Sequence, residues 1–122
     1  MAYLWVFMGG GIGSIFRYSL SRLVPYEEGT FPYATLLANV VSSFLLGLLL
    51  GWIVKNGMSA QMRLLLITGF CGGFSTFSTF SYENYVLFRT DHLYLALVNI
   101  LVSLSIGLLI MILLFKDFHF DA

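Results

Sequence analysis

Gly69-Phe70-Cys71-Gly72-Gly73-Phe74-Ser75-Thr76-Phe77-Ser78-Thr79-Phe80-Ser81 is a glycine pair followed by hydroxyls and phenylalanines, set in a segment otherwise apolar enough to cross a membrane. Adjacent glycines weaken a helix, and hydrocarbon offers the freed backbone groups no substitute partners. Each unpaired amide or carbonyl there costs several kcal/mol, so a break persists only where it is buried in protein, lines a wet cavity or holds an ion. This stretch reads as the working part of the chain: a helix unwound at Gly72-Gly73-Phe74-Ser75, its first half ending in free carbonyls and its second starting with free amides near Thr76. A gentle kink that serves only packing is the alternative.

Composition sets the environment. The 122 residues are 59% hydrophobic and 10% charged, with a mean hydropathy of +0.91, far too apolar for an ordinary soluble domain. Four windows are long enough to span about 30 Å of hydrocarbon: residues 3–24, 33–54, 62–88 and 93–115. Short polar connections join them, at residues 25–32, 55–61 and 89–92. The expected fold is therefore an all-α membrane protein with one four-helix transmembrane domain over residues 1–122, its third helix broken mid-membrane. The N-terminus lacks a basic region and a small-residue cleavage site, so helix 1 is expected to be retained rather than removed as a signal peptide. A lone cysteine, Cys71, makes no intrachain disulfide and no cysteine metal motif, and reads as a small buried residue.

Six basic and six acidic residues cancel, which argues against nucleic acid as a partner. Four crossings place Lys55, Arg63 and Lys116 on one side and Arg22 and Arg89 on the other, with Arg17 deeper in helix 1. That leaves little bias for the positive-inside rule to act on. A chain so balanced either takes one orientation for another reason or inserts both ways, and oppositely inserted copies can pair as an antiparallel homodimer.

Polar residues recur inside the spans. Helix 1 carries Gly9-Gly10-Gly11-Ile12-Gly13-Ser14 and then Arg17; Gly9 with Gly13 is a small-xxx-small pair that admits a close helix neighbour. Arg17 either snorkels to the interface or sits at the floor of a water-filled vestibule, where it attracts anions. On helix 2, Thr35, Asn39, Ser42 or Ser43, and Gly47 make a polar stripe facing protein or water. Its Asn39 is either interhelical glue or an NH2 donor to a passing anion. Helix 4 has Asn99, Ser103 and Gly107 on one line. Beyond the break, Phe77 and Phe80 share a face with Asn84, flanked by Thr76, Thr79 and Glu83. Phenylalanine edges carry partial positive charge and suit an anion, although such stripes are usually packing. Ser75 or Thr76 is placed to cap the second half-helix. Glu83, an ionisable residue inside a span, is a functional candidate or else pairs near the interface with Arg89 or Arg63.

Three segments together carry a family resemblance: Gly9 through Tyr18, Thr35-Leu36-Leu37-Ala38-Asn39 with Gly47 beyond, and Gly69 through Phe80. They resemble the Fluc (CrcB) family of fluoride channels over essentially the whole chain, the third segment being the specific one. The resemblance implies passive fluoride export across the cell (inner) membrane by a multi-pass, dual-topology antiparallel homodimer with two pores and a structural sodium ion at the centre of the interface. By that resemblance the backbone carbonyls of Gly72 and Ser75 would hold sodium, Phe77 and Phe80 would line the fluoride path with their ring edges, and Asn39 would donate to the ion. Thr79 would belong to a polar track, with Ser103 and Asn99 along the path, Arg17 by the vestibule and Glu83 near the far end. Two departures are visible: Ser75 stands where the family usually has threonine, and Asn99 where some relatives have tyrosine. Fluoride is small and strongly hydrated, so a selective path must replace water with donors at every step while binding weakly enough to release. The competing reading is a small dual-topology proton-coupled multidrug exporter, which needs a carboxylate in helix 1 that is absent here. A non-transporting assembly subunit would explain the glycines but not the Ser-Thr-Phe run. No nucleophile, base and orienting group are arranged as in an enzyme.

Overall fold

The computed structural model describes residues 1–117 and is helical throughout its ordered elements. Helix α1 is Ala2–Leu23 and α2 is Tyr33–Asn56. Helix α3, residues 60–74, starts as Ala60–Arg63, widens into π-helical turns over Leu64–Cys71 and returns to α geometry at Gly72–Phe74. Ser75 and Thr76 are non-helical; α4 then runs Phe77–Arg89 and α5 Leu93–Phe115. Three stretches are long and apolar enough to cross a membrane: Tyr33–Asn56, Ala60–Arg89 taken across its break, and Leu93–Phe115. Helix α1 has the length, at 22 residues, but its glycines, serines and arginines leave it less apolar than the other three.

The interior is built from small and polar side chains. Ala34, Ala38, Cys71, Phe74, Leu87 and Ala96 are among its buried apolar residues, as is Pro32, while Thr35, Ser42, Glu83, Asn84 and Asn99 are buried beside them. Large apolar residues face outward along every long helix, among them Phe7, Ile15, Leu48, Leu101 and Leu108. This inversion of the soluble pattern fits a protein whose outer surface meets lipid or another apolar chain.

Helix α1 packs on α3, and α5 packs on α2 and α4. The α1–α3 contact rests on the glycines. A methyl group on Gly9 would strike the Leu65 carbonyl and come within 2.9 Å of the Phe70 nitrogen, and one on Gly13 would come within 2.8 Å of the Phe74 nitrogen. Leu65 and Phe70 are five apart, the spacing of a π turn, so Gly9 lies flat against the widened part of α3. The small-xxx-small pair thus does what its spacing predicts.

Gly72 and Gly73 do not unwind the helix. They are helical, and the break falls after them, at Ser75-Thr76. A Cβ on Gly73 would lie 3.0 Å from the Gly10 Cα, so this glycine serves close packing against α1; a Cβ on Gly72 would meet nothing within 4 Å. The expected break exists, displaced by capping chemistry toward Thr76.

Candidate functional site

Asn39 of α2 holds the break open. Its Oδ1 accepts from the Thr76 backbone N–H at 2.8 Å, and its Nδ2 donates to the Thr76 carbonyl at 3.1 Å. An N–H at position 76 would otherwise close the helical bond to the Gly72 carbonyl four residues back. Thr76 then caps α4: its Oγ1 accepts from the Thr79 N–H at 3.2 Å, satisfying one of the orphan amides at a helix start. That N–H would otherwise serve the Ser75 carbonyl. Asn39 and the Thr76 hydroxyl therefore divert the donors that continued winding would supply to the carbonyls of Gly72 and Ser75.

Two neighbouring carbonyls, those of Cys71 and Gly73, are taken. Ser42 Oγ and Ser75 Oγ each donate to the Cys71 carbonyl at 2.9 Å, and the Ser75 N–H donates to it at 3.1 Å. Arg17 Nε donates to the Gly73 carbonyl at 3.2 Å. The arginine thus reaches from α1 across to the severed end of α3 instead of snorkelling away.

Two clefts meet at Thr76. The larger, about 270 Å³, is lined by Asn39, Thr76, Phe77, Phe80 and Ser103, with Ser43 and Ser75 beside them. The Phe77 and Phe80 rings lie 6.1 Å apart, tilted by 35°; Phe77 is 79% exposed. The smaller, about 70 Å³, gathers Arg17, Tyr26, Thr35, Thr76, Thr79 and Glu83. Glu83 is buried, with Oε1 accepting from Thr35 Oγ1 at 2.8 Å and Oε2 without a partner. The Tyr26 hydroxyl, on the connection between α1 and α2, is buried and unpartnered as well. Loss of water raises its pKa, with the negative charges of Glu83 and Glu28 adding to the effect. Together the clefts offer hydroxyls, an amide, ring edges and one guanidinium on either side of a broken helix, with the Glu83 carboxylate the one anionic group among them; the donors suit a small anion.

The structure thus brings Asn39, Phe77, Phe80 and Ser103 into one cleft and Arg17, Thr79 and Glu83 into the other. Asn99 lies apart. It is 1% exposed, lines neither cleft, and donates through Nδ2 to Asn84 Oδ1 at 3.0 Å while its Oδ1 accepts from Ser103 Oγ at 3.1 Å. The Asn39 amide, expected to face a passing ion, has its carbonyl and one of its two N–H groups committed to Thr76. Glu83 takes Thr35 as its partner, not Arg89 or Arg63. Sequence reasoning did not single out Tyr26, which carries no periodic signal because it lies in a turn; Thr35 and Ser43 were visible only as members of the α2 stripe.

The family described as CrcB-like protein, Camphor Resistance (CrcB), matches residues 4–115. A protein of Ignicoccus hospitalis named fluoride-specific ion channel FluC is 45% identical over 107 residues, covering 88% of this chain and 86% of the relative. Proteins of the same name are 50% identical over 99 residues in Pyrococcus furiosus, covering 80% of each chain, and 39% identical over 107 residues in Flavobacterium psychrophilum, covering 86% of each. A match across both clefts and the break, at these identities, makes the chain a member of the CrcB-like family.

Proposed function

We propose that this protein is a fluoride-selective channel that lets fluoride leave the cell passively and so confers fluoride resistance. The observation that carries the reading is the break at Ser75-Thr76, held open by Asn39 between two donor-lined clefts. Fluoride must exchange its water for donors gradually. The Asn39 N–H not engaged by Thr76, the ring edges of Phe77 and Phe80 and the Ser103 hydroxyl serve one stretch of the path, with the buried Asn99 behind them. Thr79 and Arg17 serve the other, and Glu83 marks its far end. An inside-negative potential drives an anion outward by about 2.3 kcal/mol per charge per 100 mV, so no energy source beyond gradient and potential is needed.

The working unit in this reading is an antiparallel, dual-topology homodimer in which α1, α2, the broken α3–α4 segment and α5 of each copy cross the cell (inner) membrane. The apolar outer face and the near-balanced lysine and arginine distribution support it. The carbonyls of Gly72 and Ser75 would hold a sodium ion together with the partner's equivalents. Their loss of helical donors to Asn39 and Thr76 fits a hard cation that prefers oxygen, and the exposure of Gly72 leaves room for a second copy to approach. The multidrug-exporter reading is not favoured, since α1 contains no carboxylate to carry a proton.

The test is fluoride efflux from liposomes that contain only this protein, beside its Phe80→Ile and Asn39→Asp variants. Rapid fluoride efflux, negligible chloride efflux and loss of flux in both variants are expected; a parent protein that releases no fluoride rejects the channel. Crosslinking that captures only parallel pairs rejects the antiparallel dimer and its shared sodium site.

A further inference from the structure

Ser103 faces the larger cleft, but its proton faces away from it. Its Oγ donates to Asn99 Oδ1 at 3.1 Å, Asn99 Nδ2 donates to Asn84 Oδ1 at 3.0 Å, and Asn84 Nδ2 has no partner. Both asparagines are buried, at 5% and 1% exposure. In this polarity the hydroxyl shows the cleft only lone pairs, which repel an anion.

A half-turn of both amides about χ2 exchanges oxygen for nitrogen at almost the same positions. Asn84 Nδ2 then donates to Asn99 Oδ1, Asn99 Nδ2 donates to Ser103 Oγ, and the hydroxyl proton is released toward the cleft. The orphan becomes the Asn84 carbonyl instead of its NH2. One buried group goes unpaired either way, so the two polarities are closely balanced. An anion beside Phe80 and Ser103 discriminates between them, because only the second gives it a proton to bind.

We infer that Asn84 and Asn99 form a reversible hydrogen-bond relay that turns Ser103 into a donor when an anion occupies the cleft. Both act as positioning residues through Ser103, and neither lines the cleft itself. The inference rests on the channel reading above, and the two fail separately: fluoride efflux by the parent protein tests that reading, and the comparisons below test the relay.

The first comparison places Asn84→Asp in two backgrounds. A carboxylate at position 84 only accepts, which pins Asn99 Nδ2 toward it and the Asn99 carbonyl toward Ser103. Fluoride efflux is expected to fall about tenfold or more, the size of one lost hydrogen bond to a charged group. In a Ser103→Ala background the same substitution is expected to cost nothing further. An equal fall in both backgrounds means that the new charge acts directly on the ion, and overturns the relay.

The second needs no variant to be stable other than Ser103→Ala. Side-chain amide resonances of Asn84 and Asn99 are followed by NMR in the detergent-solubilised protein during titration with sodium fluoride and with sodium chloride. Shifts of both amides with fluoride alone, absent in Ser103→Ala, are expected. Amides that do not respond to fluoride, or that respond equally without the serine hydroxyl, overturn the inference.

Discussion

Replacing Asn39 with leucine tests the proposal that one side chain keeps the third segment open. The change preserves approximate volume and removes both bonds to Thr76, of 2.8 and 3.1 Å. Two net hydrogen bonds at about 1 kcal/mol each give a loss of about 2 kcal/mol, rising to about 4 kcal/mol if the half-buried Thr76 N–H and carbonyl find no new partner. The N–H has an escape, since it can return to the Gly72 carbonyl and wind the helix onward, so the loss is expected near the lower figure. That same recovery takes the Gly72 carbonyl away from any cation and shifts Phe77 and Phe80 relative to Ser103. Guanidinium unfolding in detergent, followed by circular dichroism, measures the first effect, and fluoride efflux the second. A variant within about 0.5 kcal/mol of the parent, well under one net hydrogen bond, and still conducting fluoride would refute the reasoning.

Other residues give narrower tests. Gly13→Val forces side-chain atoms into the Phe70 carbonyl and Phe74 nitrogen; overpacking against rigid backbone is expected to cost about 3 kcal/mol or more and to lower the melting temperature in detergent. Thr76→Val keeps the shape but deletes the α4 cap, and about 1 kcal/mol of stability is expected to go with it on guanidinium unfolding. Thr35→Val removes the hydrogen-bond partner of the buried Glu83 carboxylate, with an expected loss of about 1.5–3 kcal/mol by the same measurement. Should Thr35→Val match the parent, Glu83 has found another partner and its placement here is wrong.

Much of this architecture is legible in the amino-acid order because membrane helices announce themselves by length and apolarity. The expected spans 33–54 and 93–115 fall within two residues of Tyr33–Asn56 and Leu93–Phe115, and the small-xxx-small spacing of Gly9 and Gly13 correctly foretells a backbone-close neighbour. The break was placed too early. Glycine pairs lower helix propensity, but Gly73 stays helical because α1 packs against it, and the chain opens where Asn39 and the Thr76 hydroxyl offer the backbone better partners. The Thr76 cap is local and legible in the sequence, but the Asn39 partnership is tertiary and has no local signature. Nor does the π-helical stretch Leu64–Cys71, whose residues read as an ordinary apolar run. Periodicity put Asn99 and Ser103 on one line without saying how deep each lies: Asn99 sits behind the cleft wall and Ser103 in it. Tyr26 was invisible, since a turn residue gains its burial only when the connection folds over Glu83.

Current across a planar lipid bilayer holding the purified protein, with fluoride on one side and chloride on the other, addresses the central claim most directly. The expected result is a steady current whose reversal potential lies far toward the fluoride equilibrium potential. A reversal potential set by chloride or by cations, or no current from protein shown to be folded and inserted, would contradict the account.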